Sequence, residues 1–117
     1  MKAKSPDGAY YLLGLAVEAA LKACIAKKTK RFEFPDKSLA TQCYTHDLTV
    51  LMKLAGLGPV VDKLCQSNSL FEINWAVVKD WRIESRYENN DAQRASDLYK
   101  AITDPKDGVM WCIEQNW

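Results

Sequence analysis

The residues best suited to bind a ligand lie close together between positions 81 and 87. This stretch holds two aromatic rings, which can stack on nucleic-acid bases, and two guanidinium groups, which can pair with phosphates. Its candidate ligand-binding residues are Trp81, Arg82, Ser85, Arg86 and Tyr87. A structural interpretation also stays open, in which the aromatic rings close one end of a helical bundle and Arg86 holds the loop against Glu18.

Glu18 and Lys22 form a second candidate ligand-binding group. They lie four residues apart, in the order that favours an ion pair on a helix, and an exposed pair of this kind contributes only about 0.2–0.5 kcal/mol. Most sequence neighbours of Glu18 are apolar or small, so an inward-facing carboxylate is the other interpretation. A buried carboxylate needs a partner, and Arg86 is the partner that we consider for it.

The chain contains a single histidine, His46, so a pair of histidines cannot act as acid and base within one chain. At the start of a capped helix the dipole disfavours an imidazolium, which favours a neutral ring in a structural position. We therefore expect no catalytic residue, with His46 and Arg86 as the alternative catalytic set. The sequence has no glycine-rich phosphate loop, zinc-protease motif or serine-hydrolase motif, and we expect no cofactor.

The four cysteines also give no indication of a metal centre. Cys24, Cys43, Cys65 and Cys112 are scattered along the chain without a C-x-x-C pair, and no second histidine can complete a zinc site. Three of them lie among apolar residues of candidate helices, where a free cysteine behaves as a small hydrophobic residue. We expect buried thiols and no metal.

The length and charge of the chain limit its possible functions. Its 117 residues fit one domain, spanning positions 1–117. Sixteen Lys and Arg against 15 Asp and Glu give a net charge of +1, so nucleic-acid binding would need a local basic patch. The first residues have no signal-peptide pattern, and we expect no apolar run long enough to cross a bilayer. We predict a cytoplasmic protein without membrane contact.

Helices must position these residues, because no stretch has the alternation of a strand or the turn of a hairpin. A cap signal and a long apolar periodicity predict a first helix near residues 5–29. A second helix is predicted from a cap at Thr45 to an end at Gly56. The Gly58-Pro59 pair then predicts a turn and the start of a third helix of about two turns.

Three further helices are predicted in the second half of the chain. The fourth is capped by Asn68 or Ser69, the fifth begins at Asp91, and the last follows a break at Asp104-Pro105. The apolar stripe of the fourth helix, spaced by three and four residues, consists of Leu70, Ile73, Val77 and Trp81. The expected fold class is all-α, an up-and-down antiparallel bundle of four to six helices.

Four stretches follow one another in an order that is typical of a known family. They are residues 10–23, His46-Asp47-Leu48, Trp81 with Glu84-Ser85-Arg86-Tyr87, and Met110-Trp111-Cys112-Ile113. In order and spacing they resemble the first helix, the second helix, the Trp and Glu-Ser-Arg-Tyr stretch, and the final helix of HEPN domains, named from higher eukaryotes and prokaryotes nucleotide-binding. The resemblance spans nearly the whole chain.

The HEPN resemblance implies a helical bundle that forms a homodimer, in a family of RNA-cutting toxins, defence proteins and non-catalytic binding members. Glu18, Lys22, Ser85 and Arg86 match positions that recur in the family. The nucleases carry an Arg followed after four to six residues by a His, and this chain has no such motif. Other members pair with a small nucleotidyltransferase, which the resemblance makes a candidate partner here.

The function expected from these observations is that of a non-nuclease HEPN-like module. It would bind RNA, a nucleotide or a partner protein, as part of a toxin–antitoxin or defence system. One alternative is a ribonuclease toxin with a non-standard site, in which His46 and Arg86 meet across two chains. The other alternative is a structural interaction subunit.

Overall fold

Six helices make up the part of the chain that the computed structural model describes, namely residues 6–30, 45–83 and 92–116. They are α1 (Pro6–Lys30), α2 (Leu48–Leu54), α3 (Gly58–Ser67), α4 (Ser69–Lys79), α5 (Ala92–Thr103) and α6 (Val109–Gln115). These ranges contain no strand, so the prediction of an all-α helical bundle is confirmed. The helix ends agree with the predicted ones to within a few residues.

The cap of the second helix lies two residues later than predicted. Asp47 is the capping residue, because its Oδ1 accepts hydrogen bonds from the backbone N–H groups of Thr49 at 2.9 Å and Val50 at 3.4 Å. The Thr45 hydroxyl instead accepts from the backbone N–H of Asp47 at 3.1 Å. Gly56 follows the helix end with a φ of 79°, a conformation that favours glycine.

The break before the last helix is confirmed, and Asp104 organises it. Its Oδ1 accepts from the backbone N–H groups of Lys106 and Asp107, both at 2.9 Å. The turn is joined to α4, since the Asn68 side chain donates to the Asp107 carboxylate at 2.6 Å and the Asn74 side chain donates to the Asp107 carbonyl at 3.0 Å. Asn68 also caps α4 itself, as one of the two predicted alternatives.

The core lies where α1 packs against α2, α5 and α6 and where α4 packs against α5 and α6. One side of α1 is buried along its length through Tyr10, Val17, Leu21, Cys24 and Ile25, as its periodicity predicted. The long first helix is therefore the element around which the shorter helices are arranged.

The predicted apolar stripe of α4 is only partly right, because Trp81 is buried and Val77 packs against the core, but the beginning of the helix is turned differently. Its buried residues are Phe71, Trp75 and Val78, whereas Leu70 and Ile73 are exposed. Both sets have helical spacing, but the two aromatic side chains remove more apolar area from water when they are buried. The packing of α4 is therefore rotated relative to the sequence-based prediction, and it leaves apolar side chains on the outer side.

The expectation that no apolar run could cross a bilayer is also wrong for α1. Residues Gly8–Lys27 are long and apolar enough by length and composition, a weak indication that core helices of soluble proteins also give. The alanines of this segment raise its apolar content, and only Glu18 and Lys22 interrupt it before Lys27. Its strongly apolar side faces the bundle core, with Val17 and Leu21 fully buried.

Candidate functional site

Glu18 is the one buried charged residue among the described residues, and it lies near the middle of α1. Its Oε1 lies 2.7 Å from Nδ1 of His46, and its Oε2 lies 3.4 Å from Nζ of Lys22. The Glu18 side chain is 10% exposed and that of His46 is 46% exposed. Of the two interpretations for Glu18, the inward-facing carboxylate is thus the one that the structure supports.

His46 reaches Glu18 because the start of α2 is fixed against α1. Asp47 caps α2, and Leu48, Leu51 and Met52 anchor the helix in the core. The two partners are 28 residues apart in the sequence, and no local pattern predicts a contact over that distance. We expected the His46 ring only to fill a structural position, and this contact with Glu18 was not predicted. The ring is half exposed, so its other side faces solvent.

The contact with Glu18 sets the roles of the two nitrogens of His46. An ionised carboxylate only accepts hydrogen bonds, so we assign a proton to Nδ1. In the neutral ring Nε2 is then the acceptor, and it has no partner among the described residues. A carboxylate that orients a histidine in this way leaves the other ring nitrogen ready to bind a ligand or to take up a proton.

Trp81 lines the site and is also part of the buried core of the bundle. It is 2% exposed, and its ring packs on the backbone of α1 at Gly14, where a methyl group would overlap the indole. Tyr11 lies beside it, with ring centroids 6.3 Å apart. The indole Nε1 has no hydrogen-bond partner among the described residues. Little of the ring is therefore open for stacking on a base.

A cavity of about 530 Å³ opens beside these residues. Its walls come from the start of α2 and from the end of α4 with the residues that follow it. They are Thr45, His46, Asp47, Thr49, Lys79, Asp80, Trp81, Arg82 and Ile83. Lys79 and Arg82 bring two cationic groups to the cavity, while one of its carboxylates, that of Asp47, is engaged in capping α2.

Comparison with known protein families, with curated proteins and with solved structures gives no match. The HEPN resemblance stays a prediction that rests on the sequence stretches alone. The fold and the geometry of the cavity are thus the basis for any statement about function.

The predicted ligand-binding residues divide into three groups. Trp81 and Arg82 line the cavity, whereas Glu18 and Lys22 lie behind it and are connected to it through His46. Ser85, Arg86 and Tyr87 lie outside the described residues, and with them the proposed contact between Arg86 and Glu18. The cavity residues that the sequence reasoning missed are Thr45, Asp47, Thr49, Lys79, Asp80 and Ile83.

The described cysteines are free thiols, as expected. Cys24 and Cys112 are buried, Cys65 is partly buried, and Cys43 lies outside the described residues. Burial raises the pKa of Cys112 to about 11, so its thiol is protonated at neutral pH. The described residues contain no group of three His, Cys, Asp or Glu side chains that could hold a metal ion.

Proposed function

We propose that this chain is a non-nuclease HEPN-like module that binds RNA or a nucleotide, with a phosphate group of the ligand in the cavity beside His46. The observation that carries the proposal is the composition of the cavity wall. It combines Lys79 and Arg82 with a histidine whose Nε2 points away from its carboxylate partner. Lys79 and Arg82 supply the cations and hydrogen-bond donors that a phosphate requires, and a protonated His46 ring would add a further donor through Nε2.

The charge distribution favours a local contact over general attraction of a polyanion. The net charge of the chain is +1, so the long-range field is weak. Asp80 also lies on the cavity wall and reduces its positive charge. We therefore expect modest affinity that depends strongly on the few cationic groups at the cavity.

A binding titration with a matched pair of double variants tests the proposal. The probes are a fluorescein-labelled 12-nucleotide single-stranded RNA and a labelled ATP, measured by fluorescence anisotropy between 50 and 200 mM salt. Lys79→Ala with Arg82→Ala should weaken binding about tenfold and, because two phosphate contacts are lost, flatten the logarithmic salt dependence by about 1.4. Circular dichroism monitors the helical content of each variant.

The control is Lys63→Ala with Lys100→Ala, which removes the same charge from exposed positions of α3 and α5. It should change the dissociation constant less than twofold. An equal loss of affinity in both double variants would show that only net charge matters, and would contradict a phosphate site in the cavity. The absence of binding to either probe at 50 mM salt would contradict the proposal outright.

A second candidate is a ribonuclease, and the Glu18–His46 contact is the observation that favours it. Nε2 of His46 would take the proton of a ribose 2′-hydroxyl, whose oxygen attacks the adjacent phosphorus while the 5′-oxygen leaves and takes up a proton from water. Glu18 would stabilise the imidazolium that forms. Expression should then arrest growth and yield RNA ends with a 2′,3′-cyclic phosphate, and His46→Ala should abolish both. Cleavage that survives His46→Ala rejects this candidate.

A further inference from the structure

The charged side chains that lie around His46 and its cavity come from three parts of the chain and balance one another. They are Glu18 and Lys22 of α1, Asp47 before α2, and Lys79, Asp80 and Arg82 at the end of α4 and after it. Among the described residues, the site therefore has no net formal charge while the ring of His46 is neutral. One added proton makes the site positive, so His46 decides whether it attracts an anion.

Glu18 makes the neutral ring of His46 unfavourable to a phosphate. Its Oε1 lies 2.7 Å from Nδ1 and holds the single proton of the neutral ring there. On the side away from Glu18, Nε2 then presents an acceptor lone pair, and a phosphate oxygen is also an acceptor. Protonation reverses this, because Nε2 becomes a donor on a positively charged ring. One proton therefore changes both the charge and the hydrogen-bonding character of the site.

We infer, on the basis of the phosphate site proposed above, that His46 is a pH switch for binding at that site. Binding is strong only when the ring is protonated, so the affinity rises as the pH falls and is lost as the pH rises. Glu18 is the positioning residue that keeps the neutral ring from donating to the ligand. Histidine ordinarily changes its charge between about pH 5 and 8. His46 is the single histidine of the chain, and its half-exposed ring can exchange protons with solvent.

Binding titrations of the full chain at two pH values test the switch. The probe is a rhodamine-labelled oligouridine of about 12 nucleotides with hydroxyl groups at both ends, because a terminal phosphate would itself change charge near about pH 6. Fluorescence anisotropy at low salt measures the dissociation constant. The affinity should be about tenfold higher at about pH 5.5 than at about pH 8, because a charged donor replaces an acceptor.

Three variants separate the switch from the rest of the site. In His46→Asn the amide can still donate to Glu18 but cannot take up a proton, so the affinities at the two pH values should agree within about twofold. In Glu18→Gln the amide can donate to Nδ1 and let the neutral ring donate from Nε2, so the pH dependence should fall to about threefold. Lys79→Ala is the comparison variant, and it should weaken binding at both pH values while the ratio between them is retained. Circular dichroism monitors the folding of each variant.

Calorimetry gives a second readout, which a purely structural role of His46 would not change. In buffers with different ionisation enthalpies, binding near about pH 7 should be accompanied by proton uptake in the unchanged chain and by none in His46→Asn. The measurement on the unchanged chain does not depend on how well any variant folds. Binding without proton uptake would overturn the switch.

The outcomes distinguish a failure of the switch from a failure of the phosphate site. Binding that the Lys79→Ala, Arg82→Ala double variant weakens, but that is equal at the two pH values, would overturn the switch and leave the phosphate site in place. A pH dependence that persists in His46→Asn would overturn the switch as well. An unchanged pH dependence in Glu18→Gln would overturn the role of Glu18. No binding at either pH would overturn the phosphate site and the switch together.

Discussion

Glu18 is the residue whose environment has the largest consequences for the site. Placing a carboxylate in the interior is costly unless hydrogen bonds and opposite charges compensate for the lost water. His46 and Lys22 supply these contacts, one to each oxygen of the carboxylate. The half-exposed His46 screens the pair partly from solvent and is itself fixed in orientation. The contact that compensates for the burial of Glu18 in α1 thus also fixes the orientation of His46 at the wall of the cavity.

A double-mutant cycle measures the Glu18–His46 contact. Glu18→Ala, His46→Ala and the double variant are compared by urea unfolding. We expect a coupling free energy of about 0.5–1 kcal/mol, because the histidine is nearly half exposed and water weakens the attraction. The control cycle pairs His46→Ala with Lys53→Ala, which changes an exposed residue in the last turn of α2, and it should be additive. Additivity in the first cycle would contradict a direct contact.

At the scale of the helices, close approach between α1 and the end of α4 determines the shape of the site. Trp81 follows α4 and lies against Gly14 of α1, where the missing side chain leaves room for the indole. The same contact fixes the wall of the cavity that continues to Arg82 and Ile83. The glycine in the middle of α1 therefore has a packing role that outweighs its unfavourable helix propensity.

Gly14→Ala should destabilise the protein, although alanine is the better helix former by about 1 kcal/mol. The added methyl group overlaps the Trp81 ring, and overpacking of this kind costs about 1–3 kcal/mol or more. Urea unfolding measures the change in the free energy of unfolding. In a Trp81→Leu background the same substitution should cost less, because the smaller side chain leaves space. A stabilising effect of Gly14→Ala in the unchanged background would contradict the close contact.

The turn between α5 and α6 should make the stability of the protein depend on pH in the acidic range. Hydrogen bonds from the backbone N–H groups of Asp107 and Lys106 lower the pKa of Asp104 below its ordinary value of 3.8. The stabilisation of the folded state by the ionised Asp104 carboxylate is therefore complete above pH 3.8. It is lost as the pH falls through the lower pKa of the folded protein. Asp104→Ala should lower the melting temperature at pH 7, and the difference should shrink below pH 3.8. A difference that stays constant with pH would contradict this role.

At the scale of the whole molecule, α1 connects the core to the candidate site. Its strongly apolar residues pack into the bundle, its Gly14 receives Trp81, and its Glu18 holds His46. The same helix has the length and composition of a membrane span. These two properties of α1 predict different behaviour of the chain in a cell, because a helix that is packed in a bundle core cannot at the same time face lipid.

We expect the chain to separate from membranes when expressing cells are fractionated. Insertion of α1 would expose Val17 and Leu21 to lipid at the cost of their contacts in the bundle, and would leave Glu18 without His46. After a carbonate wash the protein should be found in the supernatant, while an integral membrane protein used as a marker stays in the pellet. Retention of the chain with the marker would contradict a bundle in which α1 is the core helix.

The sequence by itself determined the all-α class, a bundle of four to six helices, and most of the helix ends in the part of the chain that the structure describes. These features depend on caps, glycine, proline and apolar spacing within a few residues, and such local signals are present at Asp47, Gly56, Asn68 and Asp104. It also predicted the Glu18–Lys22 pair, which the structure contains, and it singled out Trp81 and Arg82, which line the cavity. For the same reason it went wrong on α4, where two apolar stripes have equally good helical spacing.

Only the tertiary structure decided which of these residues meet. The Glu18–His46 contact and the cavity with Lys79 join elements that are far apart in the chain. Such contacts depend on how the helices are rotated and how closely they approach, as Phe71 and Gly14 show. Helix rotation follows from competition among side chains for the core, which is a property of the whole assembly of helices and is not encoded in any single stretch.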